Sequence, residues 1–133
     1  MNELSIPYHL IIPAIISVIG LVRIVVNRKS LFAKNKLLWK SIMLFLVLYL
    51  LITGKAAFED IYYQFDLNRY DLDKDGTFGG IERTKEQEEA MFRLTNDVGR
   101  NFSFITGFIF STLISSIFYG FGVVIRGIKK TAV

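Results

Sequence analysis

The sequence predicts an all-α membrane protein: three transmembrane helices, with an extracytoplasmic helix-loop-helix between the second and third. Three observations predict it. Of 133 residues, 52% are hydrophobic and the mean hydropathy is +0.41, above the range of ordinary soluble domains. The apolar residues gather in three runs, at 8–26, 37–53 and 102–125. Each matches the roughly 17 to 25 residues that an α-helix needs to cross a bilayer core. The charged residues, 21% of the chain, lie almost wholly between the runs. A chain this short lacks the mass to bury three apolar helices in a soluble core, so 1–133 reads as one membrane domain.

The first run, YHLIIPAIISVIGLVRIVV, carries one charge, Arg23, near its end. The preceding MNELSIP is not basic, and Arg28 and Lys29 follow where a cleaved leader has small residues, so the run is expected to be a retained span. Pro13 predicts a kink, with Ser17 placed to satisfy the freed backbone groups. His9 is expected as a polar anchor near the membrane surface. The second run has Trp39 and Lys40 near its start, both suited to an interface. The third has no charge. It sets small residues on two helical lines, Gly107-Ser111-Ser115 and Thr112-Ser116-Gly120, a pattern of close helix packing within the chain or between copies.

Charge predicts the orientation. Arg23, Arg28, Lys29, Lys34, Lys36 and Lys40 have no acid among them, and the tail adds Arg126, Lys129 and Lys130. Between Lys55 and Asn101, seven bases meet eleven acids. Lys and Arg mark the cytoplasmic side of short loops. The expected topology is N-terminus out and C-terminus cytoplasmic, in a plasma or bacterial inner membrane.

Within the acidic segment lies Asp71-Leu-Asp73-Lys-Asp75-Gly76-Thr77-Phe78-Gly79-Gly80-Ile81-Glu82. Its D-x-D-x-D-G-x5-E spacing resembles an EF-hand calcium loop, over residues 71–82 only. The resemblance implies Ca²⁺ held by the carboxylates of Asp71, Asp73 and Asp75, the backbone carbonyl of Thr77 and a bidentate Glu82, with Gly76 at the sharp turn. Gly79 stands at the ninth position and has no side-chain oxygen, so water serves there. Magnesium prefers a smaller octahedral site with several retained waters. The alternative reading is a solvated acidic turn, since D-K-D-G is also good turn chemistry. A loop short of one ligand suits the weak affinities of extracellular sites, about 10⁻⁴ to 10⁻³ M, and a structural ion rather than a sensor.

The flanks predict helices. Phe58, Ile61, Tyr62 and Phe65 recur at i, i+3, i+4 and i+7, and Met91, Phe92, Thr95, Val98 and Phe102 form a second stripe. Both helices are expected to run on from membrane spans, with ERTKEQEE as the polar turn into the second. The hairpin then occupies about 55–101. EF-hands usually pair, so a lone loop pairs across an oligomer or acts as a local staple.

Enzyme chemistry has little foothold. The chain has no Cys and one His, and it contains no nucleophile elbow, S-x-x-K or phosphate-cradling glycine loop. No Asp or Glu lies within a span, which argues against a proton-coupled transporter. The basic loop is explained by topology and anionic lipid, so nucleic acid is not an expected partner. Asn101-Phe102-Ser103 is a glycosylation triplet that abuts the bilayer, and the terminal Thr-Ala-Val is too short to carry an argument. The expected function is a non-enzymatic subunit of a membrane assembly, with calcium ordering the outer hairpin. Its partners are the lipid bilayer and other membrane subunits or further copies of itself. The alternatives are a small oligomeric channel stabilised or gated by calcium, and an immunity-type protein acting against a pore-forming toxin.

Overall fold

The computed structural model describes residues 4–131. Helix α1 spans Tyr8–Val26, α2 Arg28–Asn68, α3 Lys85–Thr95, α4 Val98–Asn101 and α5 Ser103–Thr131, with a single 3₁₀ turn at Gly80–Glu82. Among the described residues there is no strand. Three helices are long and apolar enough to cross a membrane, and α1 coincides with the first apolar run. This is compatible with an integral membrane protein.

Asn27 alone separates α1 from α2, and its side-chain amide donates to Arg23 O at 2.9 Å, closing the end of α1. Helix α2 breaks once, at Asn35 (φ −154°, ψ 88°). The Asn35 side chain accepts from Leu38 N at 3.2 Å, an N-cap that restarts the helix. A short basic arm (28–34) therefore precedes a long arm (36–68). The long arm is roughly 50 Å by helical rise, well beyond the ~30 Å of a hydrocarbon core. The second span and the first hairpin helix are thus one rod.

Cross-helix pairs set the register. Ser5 meets Gln64, with Ser5 N to Gln64 Oε1 and Gln64 Nε2 to Ser5 O both 2.8 Å. A Cβ added to Gly20 would lie 3.0 Å from Leu46. Helix α1 therefore runs antiparallel to the long arm. On the other side, Tyr49 Oη donates to Phe104 O at 3.0 Å, and Phe108 makes edge contacts with Phe45 and Tyr49 at 5.4 and 5.8 Å. A Cβ on Gly107 would come within 2.8 Å of Ile52, and one on Gly122 would collide with Leu37. Helix α5 is likewise antiparallel to α2. The basic loop and the tail of α5 lie at one end, and Ser5 and the acidic hairpin at the other.

Packing inverts the pattern of a soluble bundle. Ser17, Ser41, Thr53, Ser103, Ser111 and Ser115 are buried. Ile16, Ile19, Leu51 and Leu113 are more than half exposed. Small side chains let the helices approach and the large ones face outward, as in bundles whose solvent is lipid. Most of the inner hydroxyls donate back along their own helix: Ser17 to Pro13 O at 2.8 Å, Ser41 to Leu37 O at 3.0 Å, Thr53 to Tyr49 O at 2.8 Å.

Three expectations need correction. The missing N–H of Pro13 leaves the His9 carbonyl without its helical partner, but Ser17 bonds Pro13 O and leaves the His9 carbonyl to other partners. The KEQEE segment is helical, because Thr84 N-caps α3 by accepting from Gln87 N at 3.2 Å. The stripe from Met91 to Phe102 is not one helix; it is cut where Asp97 caps α4. The stripe Phe58-Ile61-Tyr62-Phe65 is helical, as expected; its aromatics are exposed, and the same helix buries Ala56, Ala57, Asp60 and Leu67.

Candidate metal centre

The acidic loop bridges the C-terminal end of α2 and the start of α3. Tyr70 N donates to Leu67 O at 3.0 Å as α2 unwinds, which delivers Asp71 to the mouth of the loop. Asp71 Oδ2 accepts from Gly76 N at 3.0 Å, and Asp73 Oδ1 from Asp75 N at 3.2 Å. Asp75 Oδ1 accepts from the backbone N–H of Thr77 at 2.7 Å and from its hydroxyl at 2.8 Å. These are the local side-chain turns that Asp favours. Gly76 has φ 82°, the left-handed conformation that its place in the D-x-D-G turn requires. Lys74 also has positive φ, at 63°, a conformation uncommon for a side chain with a Cβ.

Glu82 closes the loop. Its Oε1 accepts from Leu72 N at 2.6 Å and Asp73 N at 3.2 Å, and its Oε2 from Gly79 N at 3.4 Å. The 3₁₀ turn at Gly80–Glu82 aims the side chain back across ten residues. A carboxylate has about four lone-pair sites, two on each oxygen, so these bonds fill Oε1 and leave acceptor capacity on Oε2.

The fold brings Asp71, Asp73 and Glu82 together, with one oxygen from each within 4.8 Å of the others. Asp71 and Glu82 are buried and Asp73 is exposed. Two oxygens bound to one calcium at about 2.3–2.6 Å lie no more than roughly 5 Å apart, so the cluster already has the spacing that a shared cation requires. Three hard carboxylates suit Ca²⁺ better than a soft or nitrogen-seeking metal. Asp75 stands outside this group, its carboxylate bonded to Thr77. The part expected of Thr77 is its backbone carbonyl; its hydroxyl is engaged with Asp75.

The electrostatics follow the geometry. The N–H of Asp75 lowers the Asp73 pKa, but desolvation and repulsion from Asp75, Glu82 and Asp71 outweigh it, and the net shift is upward. The two Thr77 hydrogen bonds hold Asp75 below the usual carboxylate range despite desolvation and the charge on Asp71. Asp73 thus carries the repulsion of the cluster, and Asp75 is relieved of it by Thr77.

A second polar centre beneath the loop escaped the sequence reading. The side chain of Arg100 is 1% exposed. Its Nε lies 3.2 Å from Asp60 Oδ1, in ion-pair contact without hydrogen-bond alignment. Nη1 donates to Arg93 O at 3.3 Å and Nη2 to Leu94 O, so the guanidinium satisfies carbonyls at the end of α3. The Tyr63 ring faces its Cζ at 5.2 Å. Asp60 Oδ2 accepts from Gln64 Nε2 at 2.8 Å, and Gln64 holds Ser5. Arg100 and Asp60 therefore tie α2, α3 and α4 together, and through Gln64 the segment before α1. The available signal was Asp60 and Gln64 at i, i+4, on the side of the helix away from the aromatic stripe.

Comparison with protein-family models, with curated proteins and with solved structures returns no match.

Proposed function

We propose that the chain is a non-enzymatic membrane subunit whose outward hairpin is ordered by one calcium ion for contact with a partner. The observation that carries this reading is the convergence of Asp71, Asp73 and Glu82 within 4.8 Å at the tip of a helical hairpin. Asp71 and Glu82 supply buried ligands and Asp73 an exposed one; a small adjustment of Asp75 and the Thr77 carbonyl completes the oxygen shell that the EF-hand resemblance implies. The ion neutralises mutual repulsion among the carboxylates and locks the end of α2 to the start of α3. The N-terminus and hairpin face outward, because the uncompensated cations gather at the opposite end.

Two exposed surfaces support a partner. Phe58, Tyr62 and Phe65 form an aromatic stripe on the part of α2 beyond Lys55, and Glu86, Glu88 and Glu89 form an acidic face on α3. Large aromatics exposed along one face of a water-phase helix favour an interaction site. A further copy of the chain is favoured by Thr112, Ser116 and Gly120, which remain exposed on α5 and match a small-residue packing seam.

Calorimetric titration of the full-length protein in mild detergent tests the metal. One calcium per chain is expected, with Kd about 10⁻⁴ to 10⁻³ M, and Glu82→Ala abolishes it. Gentle extraction from the native membrane, with calcium or with a chelator, tests the role. The larger assembly is expected with calcium and its loss with chelator. A silent titration removes the calcium reading, and an assembly indifferent to chelation removes the ordering role.

A further inference from the structure

Basic residues gather at the end away from the hairpin. Among the described residues, Arg23, Arg28, Lys29, Lys34, Lys36 and Lys40 make no ion pair. Between Glu3 and Glu59 the sequence has no acid to supply one. Where α1, the basic arm of α2 and its long arm meet, they enclose a groove of about 440 Å³. Its floor is apolar, with Ile24, Ile42 and Leu46, and Gly20 draws α1 against Leu46 at the deep end. Its mouth carries Arg23, Asn27, Ser30 and Trp39. From Asn27 to Gly20 the helical rise is roughly 10 Å, so polarity falls along the groove in the order of a phospholipid, from headgroup to acyl chain.

We infer that this groove is a binding site for one anionic phospholipid, an inference that rests on the membrane reading. The phosphate sits against the exposed guanidinium of Arg23 and the indole N–H of Trp39, and an acyl chain lies over Gly20, Ile24 and Leu46. Arg23 offers paired donors to phosphate oxygens. A zwitterionic lipid carries its own ammonium beside the phosphate and gains little from six uncompensated cations. An anionic lipid supplies the missing charge. Basic pockets between membrane helices recognise such headgroups on these grounds. The basic arm gains a role too: Asn35 breaks α2 so that residues 28–34 wall the groove at its charged end.

Trp39 is the only tryptophan in the chain, so it reports occupancy directly. The full-length protein is placed in phosphatidylcholine vesicles with a small fraction of brominated lipid, and quenching of Trp39 is followed. Brominated phosphatidylglycerol is expected to quench at a several-fold lower mole fraction than brominated phosphatidylcholine. Arg23→Gln should reduce that preference about fivefold. Lys129→Gln, an equal charge loss on the tail of α5, should leave it in place. Equal quenching by both brominated lipids overturns the inference, as does an equal effect of the two substitutions, which would indicate diffuse surface charge. Relief of quenching by millimolar inorganic phosphate would make this a phosphate site and not a lipid one. Absence of quenching by either brominated lipid overturns the membrane reading together with this inference.

Discussion

The bundle and the hairpin of this chain are held together by opposite means. In the bundle, helices meet through what is missing: Gly20, Gly107 and Gly122 make room for Leu46, Ile52 and Leu37 of α2, and the hydroxyls of Ser17, Ser41 and Thr53 bond their own helices. In the hairpin, helices meet through charge: Arg100 and Asp60 are buried together, and Glu82 gathers N–H groups from across the loop. On the proposed membrane reading, the difference follows from two solvents. Lipid would give apolar side chains no reason to leave it, so a bundle there relies on close contact and dispersion. Water would compete for every polar group, so a short hairpin, with little apolar area to bury, depends on a few enclosed polar contacts and on ionic closure.

The sharpest way to break this contrast is to remove one side of the buried ion pair. Arg100→Ala leaves Asp60 charged and enclosed and should cost about 3–5 kcal/mol, seen as a large fall in the melting temperature in detergent. Asp60→Ala should cost less, because the guanidinium keeps Asp97 at 4.0 Å and the carbonyls of Arg93 and Leu94. The double change Asp60→Leu with Arg100→Met should recover much of the loss, since the penalty lies in the orphaned charge. Equal losses in single and double variants would show that the pair serves some purpose beyond compensating its own burial.

A smaller effect is expected in the bundle. Gly107→Val pushes side-chain atoms into Ile52, whose branched Cβ has little freedom to move. The expected cost is about 1–3 kcal/mol. Gly120→Ala meets open space on the outer face of α5 and should leave monomer stability unchanged. If Gly120→Ala shifts the oligomeric state instead, the outer line of small residues is a contact between copies. The smallest change concerns the hydroxyls. Thr53→Val keeps shape and loses only a bond to Tyr49 O, within its own helix, so it should cost about 0.6 kcal/mol or less. A larger loss, measured by the same melting assay, would mean that inner hydroxyls link helices after all.

The loop illustrates how far spacing carries an argument. D-x-D-x-D-G-x5-E places five positions in sequence, and three of the four carboxylates do converge. Asp75 departs because the nearer reward wins: two hydrogen bonds from Thr77, two residues on, hold it locally. Competition of that kind depends on atomic positions that a spacing pattern does not encode. The aromatic stripe beyond Lys55 is a second instance. Periodicity places Phe58, Tyr62 and Phe65 on one face, yet Ala56, Ala57 and Asp60 occupy the packed face. Ala56 and Ala57 take the interface because Leu10 and Ile11 of α1 and Phe104 of α5 pack against α2 there.

Local composition alone reveals three helices long and apolar enough to cross a membrane, the segregation of basic and acidic ends, the helical flanks and the carboxylate-rich loop. Each follows from local composition: apolar length sets what can cross a bilayer, and Asp and Gly set where the chain turns. Helix packing sets which small-residue line of α5 faces inward, where the aromatic stripe faces, how Asp60 and Arg100 meet and how the groove around Trp39 is enclosed. Those outcomes join residues distant in sequence, and in a chain whose large apolar side chains face outward, hydrophobicity alone no longer distinguishes inside from outside.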